Sequence, residues 1–198
     1  MTTKTSPPVL LLIDLQQSLV EGPSEWGPRS TPNLTSNISQ LLHFWRSKSW
    51  PVLHVQHDDT ADPENIISSR HPESFKIHAS AAPENDEPVF VKHVGSPFIA
   101  TELPNVLKEL GKRPIVVAGM DGRECINNTT RHGADLGYDM TVVWDACASY
   151  GMEDLNGKKV DAETTHAMAM AMLMSYGQVE TTAEILETLE AGKMECLE

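Results

Sequence analysis

A cysteine, a lysine and an aspartate carry the chemistry that this sequence offers. Cys125 lies in Ile115-Val116-Val117-Ala118-Gly119-Met120-Asp121-Gly122-Arg123-Glu124-Cys125-Ile126, where a β-branched apolar run ends in glycine and a short turn leads into a helical pattern. The thiol is therefore expected in the first turn of a helix, just past the carboxyl end of a strand. Free backbone N–H groups and the helix dipole favour an anion there, hence thiolate over thiol. Asp14 and Lys92 also close apolar runs. In a parallel sheet such strand ends share one edge, so residues far apart in sequence converge on one pocket as base, electrostatic support and nucleophile. Each has a blander reading. A lone cysteine beside a strand is commonly a small buried hydrophobe, an acid at a strand end can cap a loop, and Lys92 can be half of a structural ion pair. Cys147 reads as core and Cys196 as an incidental tail residue.

The elements that must position these residues alternate regularly. Apolar runs predict strands over 9–14, 51–57, 88–92, 114–119, 138–144 and 178–180. Helical spacing predicts helices over 32–48, 101–110, 123–136, 161–174 and 182–189, with Thr101 as an N-cap and Gly111 and Gly137 as helix terminators. The methionine-rich helix has apolar side chains all round, so it reads as buried on most sides. Segment 58–87 is rich in Pro, Ser, Asn and His and reads as a long functional loop. This alternation predicts a three-layer α/β/α fold, a mostly parallel six-stranded sheet with helices on both faces, in a single domain over 1–198.

Composition narrows the partners. The chain has 198 residues and 28 acidic against 15 basic side chains, a formal charge of −13, with no Lys/Arg cluster. Such a surface repels phosphate backbones and anionic membranes, so no nucleic-acid or membrane partner is expected. The apolar run near the N-terminus is too short for a signal peptide or a membrane span. Three widely spaced cysteines do not make a disulfide framework, which reads as a reduced, cytoplasmic protein.

The motifs, in order, resemble the isochorismatase-like cysteine hydrolases, the group that includes nicotinamidases, N-carbamoylsarcosine amidases and isochorismatases. The matching residues are Leu11-Leu12-Ile13-Asp14-Leu15-Gln16; Lys92 with Ser96, Phe98 and Thr101; Gly119 through Cys125 with Thr129, Ala134, Gly137-Tyr138 and Asp145-Ala146; and His166, Ala169, Leu173 and Thr181-Thr182-Ala183-Glu184. The resemblance implies that Asp14 takes the Cys125 proton and returns it to the leaving amine, while Lys92 stabilises the charges. The thiolate would attack a carbonyl carbon to give a thioester that water hydrolyses. It also implies a non-proline cis bond at Met120–Asp121, aiming the N–H groups of Asp121 and Cys125 at the developing oxyanion. A homo-oligomer acting on a small molecule is the implied assembly.

The sequence departs from the family pattern in places. Gly122 stands where a threonine is usual, so a hydroxyl that helps hold the loop is missing. Arg123 and Glu124 bring charge to the mouth of the site. The stretch His54-Val55-Gln56-His57-Asp58-Asp59 does not match the metal-binding pattern, so no metal and no cofactor is expected. His57 and Asp58 read as substrate contacts, weak metal ligands or a polar loop. Phe98 reads as core or pocket wall, Trp26 as a pocket wall or a loop residue, and Gly122 as part of the substrate surface. The implied activity is cysteine-dependent hydrolysis of a C–N bond in a small amide, carbamoyl or ureido compound. The alternatives are vinyl-ether hydrolysis of isochorismate, which needs an acid but no thiol, and a silent binding or redox-sensing relative.

Overall fold

The structure is a computed structural model and describes residues 6–192; Cys196 lies outside them. It is built on β1 (Val9–Ile13), which is buried along its whole length. Alternate residues of a strand face opposite sides of the sheet. Leu10 and Leu12 accordingly enter one core, and Val9, Leu11 and Ile13 enter the other. A strand apolar on both faces must lie inside a covered parallel sheet, because only helices on both sides remove all of that surface from water.

Around β1 run β2 (Val52–His57), β3 (Val89–Lys92), β4 (Ile115–Gly119), β5 (Met140–Cys147) and, after a two-stranded hairpin of β6 (Met152–Glu153) with β7 (Lys159–Val160), β8 (Gln178–Glu180). The sheet has six strands in the order β3-β2-β1-β4-β5-β8, and every pairing is parallel. One face is covered by α2 (Leu34–Ser47) and α7 (Thr182–Glu190), the other by α4 (Leu103–Leu110), α5 (Cys125–Asp135) and α6 (Ala162–Leu173). This is the three-layer architecture read from the sequence. The chain builds β2 and β3 on one side of β1, then returns to place β4 on the other. At such a reversal the loops leaving two adjacent strands part in opposite directions and open a crevice at their carboxyl ends.

Some local expectations are corrected. Segment 58–87 is not bare loop: it holds the helical turn α3 (Pro72–Phe75), a 3-10 turn at Ala79–Ala81 and an antiparallel bridge from Ile77 to Gln16. A short α1 (Gln17–Glu21) and the β6–β7 hairpin carried too little periodicity to be read. Helix α4 is capped at Glu102, although the Thr101 hydroxyl still accepts the Leu103 N–H at 3.1 Å. Helix α6 is one-sided: it buries Thr165, His166, Ala169, Met170 and Leu173, but leaves Met168 and Met172 exposed. Among the described residues no helix is long and apolar enough to cross a membrane.

Candidate active site

The crevice between β1 and β4 gathers the three residues. Asp14 follows β1 at φ 50°, in the left-handed region that aspartate tolerates better than most side chains, and this turns the chain sharply at the strand end. Lys92 ends β3 in register with His57 of β2. Both share a sheet face with buried Phe90 and Val55, so strand alternation alone points Lys92 and His57 toward the α5 side. Cys125 opens α5. Lys92 Nζ lies 2.8 Å from Asp14 Oδ2 and 3.1 Å from Cys125 Sγ. Asp14 and Lys92 are almost wholly buried, at 0% and 1% exposure, where an unpartnered charge would be very costly; each neutralises the other. His57 Nδ1 stands 3.8 Å from the same sulfur.

The thiol behaves differently from the sequence expectation. Burial pushes its pKa well up from the ordinary value and the adjacent Asp14 charge pushes it further, while Lys92 acts in the opposite sense. The helix N-terminus does not leave a resting thiolate, because desolvation of the charged form outweighs it. Cys125 thus rests as a protonated thiol beside an ion pair.

The loop presenting Cys125 is tightly fixed. The Met120–Asp121 peptide is cis. Gly119 has φ 134°, and a Cβ there would lie 2.0 Å from the Ile13 carbonyl oxygen, so β1 and the loop approach as only glycine permits. The N–H groups of Gly122, Glu124 and Ile126 bond to backbone carbonyls, and that of Arg123 to the Asp121 carboxylate. Among the described residues no bond is made by the N–H of Asp121 or Cys125. Cys147 pairs with Gly119 in the sheet and is wholly buried, which pushes its thiol up to about 12.

Above the sulfur opens a cavity of about 1420 Å³, lined by Asp14, His57, Asp121 and Cys125 below and by Trp26, Arg29, Tyr150, Asn65, Ile67 and the β6–β7 hairpin above. Trp26 packs edge-on against Tyr150, with ring centroids 5.1 Å apart. Three of the substrate-contact candidates do not line it. Phe98 stacks on Tyr138 at 5.6 Å and belongs to the core. Asp58 is buried and accepts the Ser69 N–H at 2.8 Å, which secures the long loop. Gly122 faces away from the cavity: a Cβ there would meet Ser149 Oγ at 2.7 Å and His166 Nδ1 at 2.8 Å. The space a threonine would need is filled by Ser149, just after β5, and His166 of α6, both distant in sequence. Tyr150 and the hairpin were missed because a pocket wall made by side chains from separate loops has no periodicity.

With that geometry in view, comparison with known proteins is decisive. Residues 8–184 match the family model of the isochorismatase domain. The chain belongs to the isochorismatase family. The isochorismatase family protein YddQ of Bacillus subtilis (strain 168) is 36% identical over 187 residues, covering 90% of this chain and 98% of its own. A secreted isochorismatase effector, Isc1 of Verticillium dahliae, is 30% identical over 187 residues, covering 93% of each. The solved structure of an isochorismatase-family protein from Chromobacterium violaceum superposes with a TM-score of 0.87 at 32% identity, over 96% of this chain and 97% of that one.

In this isochorismatase-family hydrolase the donor atoms of Asp14, His57 and Cys125 lie within 4.8 Å of one another, close enough in principle for a metal ion. The residues do not fit one. The Lys92 ammonium already contacts both Asp14 and Cys125, so the set contains its own cation, and a divalent ion would have to sit against it.

Proposed function

We propose that this protein hydrolyses a C–N bond of a small amide, carbamoyl or ureido compound through a thioester on Cys125. The observation that carries this reading is the contact chain Asp14–Lys92–Cys125 at the floor of an open cavity. The Cys125 proton moves to Asp14 as sulfur attacks the carbonyl carbon, and Lys92 stabilises the thiolate as it forms. The carbonyl oxygen becomes an oxyanion received by the N–H groups of Asp121 and Cys125; each donor of this kind typically contributes on the order of a hundredfold or more in rate. Asp14 then delivers its proton to the departing nitrogen, and water cleaves the thioester. A resting neutral thiol suits this sequence, since the charge develops only when a carbonyl is present to share it.

Intact-mass spectrometry of the protein mixed with a broad amide panel is the test. An acyl adduct on Cys125, absent in Cys125→Ser, is expected; a Cys125→Ser variant with full amidase activity would sink the mechanism.

The Verticillium relative's name raises vinyl-ether hydrolysis of isochorismate as a second reading. The cavity wall weighs against an anionic substrate: beyond Asp14 it carries Glu25, Asp121, Glu124, Glu153, Asp161 and Glu163 against Arg29, Arg123 and Lys159. Arg29 is moreover committed to the carbonyls of Val20, Ser30 and Thr31. Retention of isochorismate turnover by Cys125→Ser would decide for this second reading.

A further inference from the structure

The reaction above has two halves, and they make different demands. Acylation needs a base on the thiol; deacylation needs a base on a water that arrives from the cavity. Asp14 meets the first demand; it borders the cavity, but its carboxylate is buried and engaged by Lys92 at 2.8 Å.

A second base faces the same sulfur. His57 lines the cavity with Nδ1 3.8 Å from Cys125 Sγ. Its backbone is held on both sides by Gln16, whose amide donates to the His57 carbonyl at 3.1 Å and accepts the His57 N–H at 2.8 Å. Gln16 is itself fully buried. The clamp fixes the end of β2 and leaves the imidazole free to point at the thiol. Burial and then the Lys92 charge depress its proton affinity, outweighing Asp14 and Asp59, while His93 adds to the depression. The ring is therefore neutral at neutral pH, which is the form a base requires.

We propose that His57 is the catalytic base of deacylation, taking a proton from the water that cleaves the Cys125 thioester. This rests on the thioester reading of the preceding subsection. In acylation the thiol proton leaves with the amine by way of Asp14, so the sulfur needs a new one. As the water oxygen bonds to the acyl carbon, one of its protons passes to the imidazole. The C–S bond breaks and sulfur leaves as thiolate beside Lys92. The imidazolium returns its proton to that thiolate, and the acid product loses its remaining proton to solvent. Thiol and neutral imidazole are both restored.

The test uses p-nitrophenyl acetate, whose leaving group needs no protonation. Wild type, His57→Gln and His57→Asn are mixed with the ester, and acetyl-Cys125 is followed by intact mass after rapid desalting. Both variants are expected to acetylate at rates near wild type, and their acetyl-enzymes to decay about a hundredfold more slowly. Hydroxylamine, which cleaves thioesters without a general base, should discharge all three alike. The wild-type decay rate should rise with pH through an ionisation that the variants lack. Equal decay in wild type and variants overturns the proposal, as does loss of acetylation together with decay in both variants. No adduct on wild type sinks the thioester reading itself, and this proposal with it.

Discussion

Cys125 stands under opposing influences, and their relative size sets how it reacts. Burial and Asp14 hold the proton on sulfur, while Lys92 favours its loss. Removing the Asp14 charge should therefore make the thiol more acidic even as it removes the base. Asp14→Asn is expected to alkylate with iodoacetamide at lower pH than wild type while losing amide turnover, checked by alkylation rate against pH. An upward shift in the alkylation midpoint would contradict the assignment. The buried pair also has a stability signature. Asp14→Asn or Lys92→Met alone leaves a buried charge unpaired and should cost about 3–5 kcal/mol in urea unfolding. The double variant should recover much of that loss without recovering activity. At this scale the sequence identified which three side chains come together. It misjudged the state of the thiol, because the desolvation that decides it comes from side chains remote in sequence.

At the scale of elements, two glycines and one ion network do the positioning. Gly119 lets the loop before Cys125 pass against the Ile13 carbonyl, and Gly122 makes room for Ser149 and His166. Gly122→Ala should therefore strain a packed contact by about 1–3 kcal/mol and lower kcat more than it raises KM, since it displaces the loop rather than the cavity wall. An unchanged kcat would show that the contact is slack. On the far side of the molecule, Arg46 of α2 reaches Glu87 at 2.8 Å, and His54 of β2 reaches the same carboxylate at 3.0 Å. Burial pushes the Glu87 carboxyl up, but hydrogen bonds from Arg46, the Glu84 N–H and His54 outweigh it and bring it down to about 2. A carboxyl whose folded value lies below its ordinary 4.5 contributes stability in full above that value and loses it as pH falls toward about 2. Urea midpoints should fall across that acid window in wild type and fall less in Glu87→Gln. Helix and strand existence was legible here because burial imposes a period on the sequence. The hairpin and α1 were not, since two to five residues cannot establish one.

For the molecule as a whole, the sheet separates two cores with separate duties. Leu34, Ile38, Leu41 and Trp45 of α2 belong to one core, and Cys125 belongs to the other. Ile38→Ala should lower stability by about 2–5 kcal/mol while leaving kcat and KM near wild type at temperatures where the protein stays folded. A kinetic defect of equal size would mean that the two faces are mechanically coupled. The parallel sheet, its helical cover and the convergence of Asp14, Lys92 and Cys125 on one edge followed from sequence alone, because strand alternation and strand direction fix which ends meet and which faces side chains share. What surrounds those ends did not follow. That Phe98 and Asp58 turn away from the cavity, that Tyr150 and a hairpin wall it, and that His57 reaches the sulfur are contacts between segments with no common period. Only the folded backbone brings them within reach, and burial together with the Lys92 charge then lowers the proton affinity of His57.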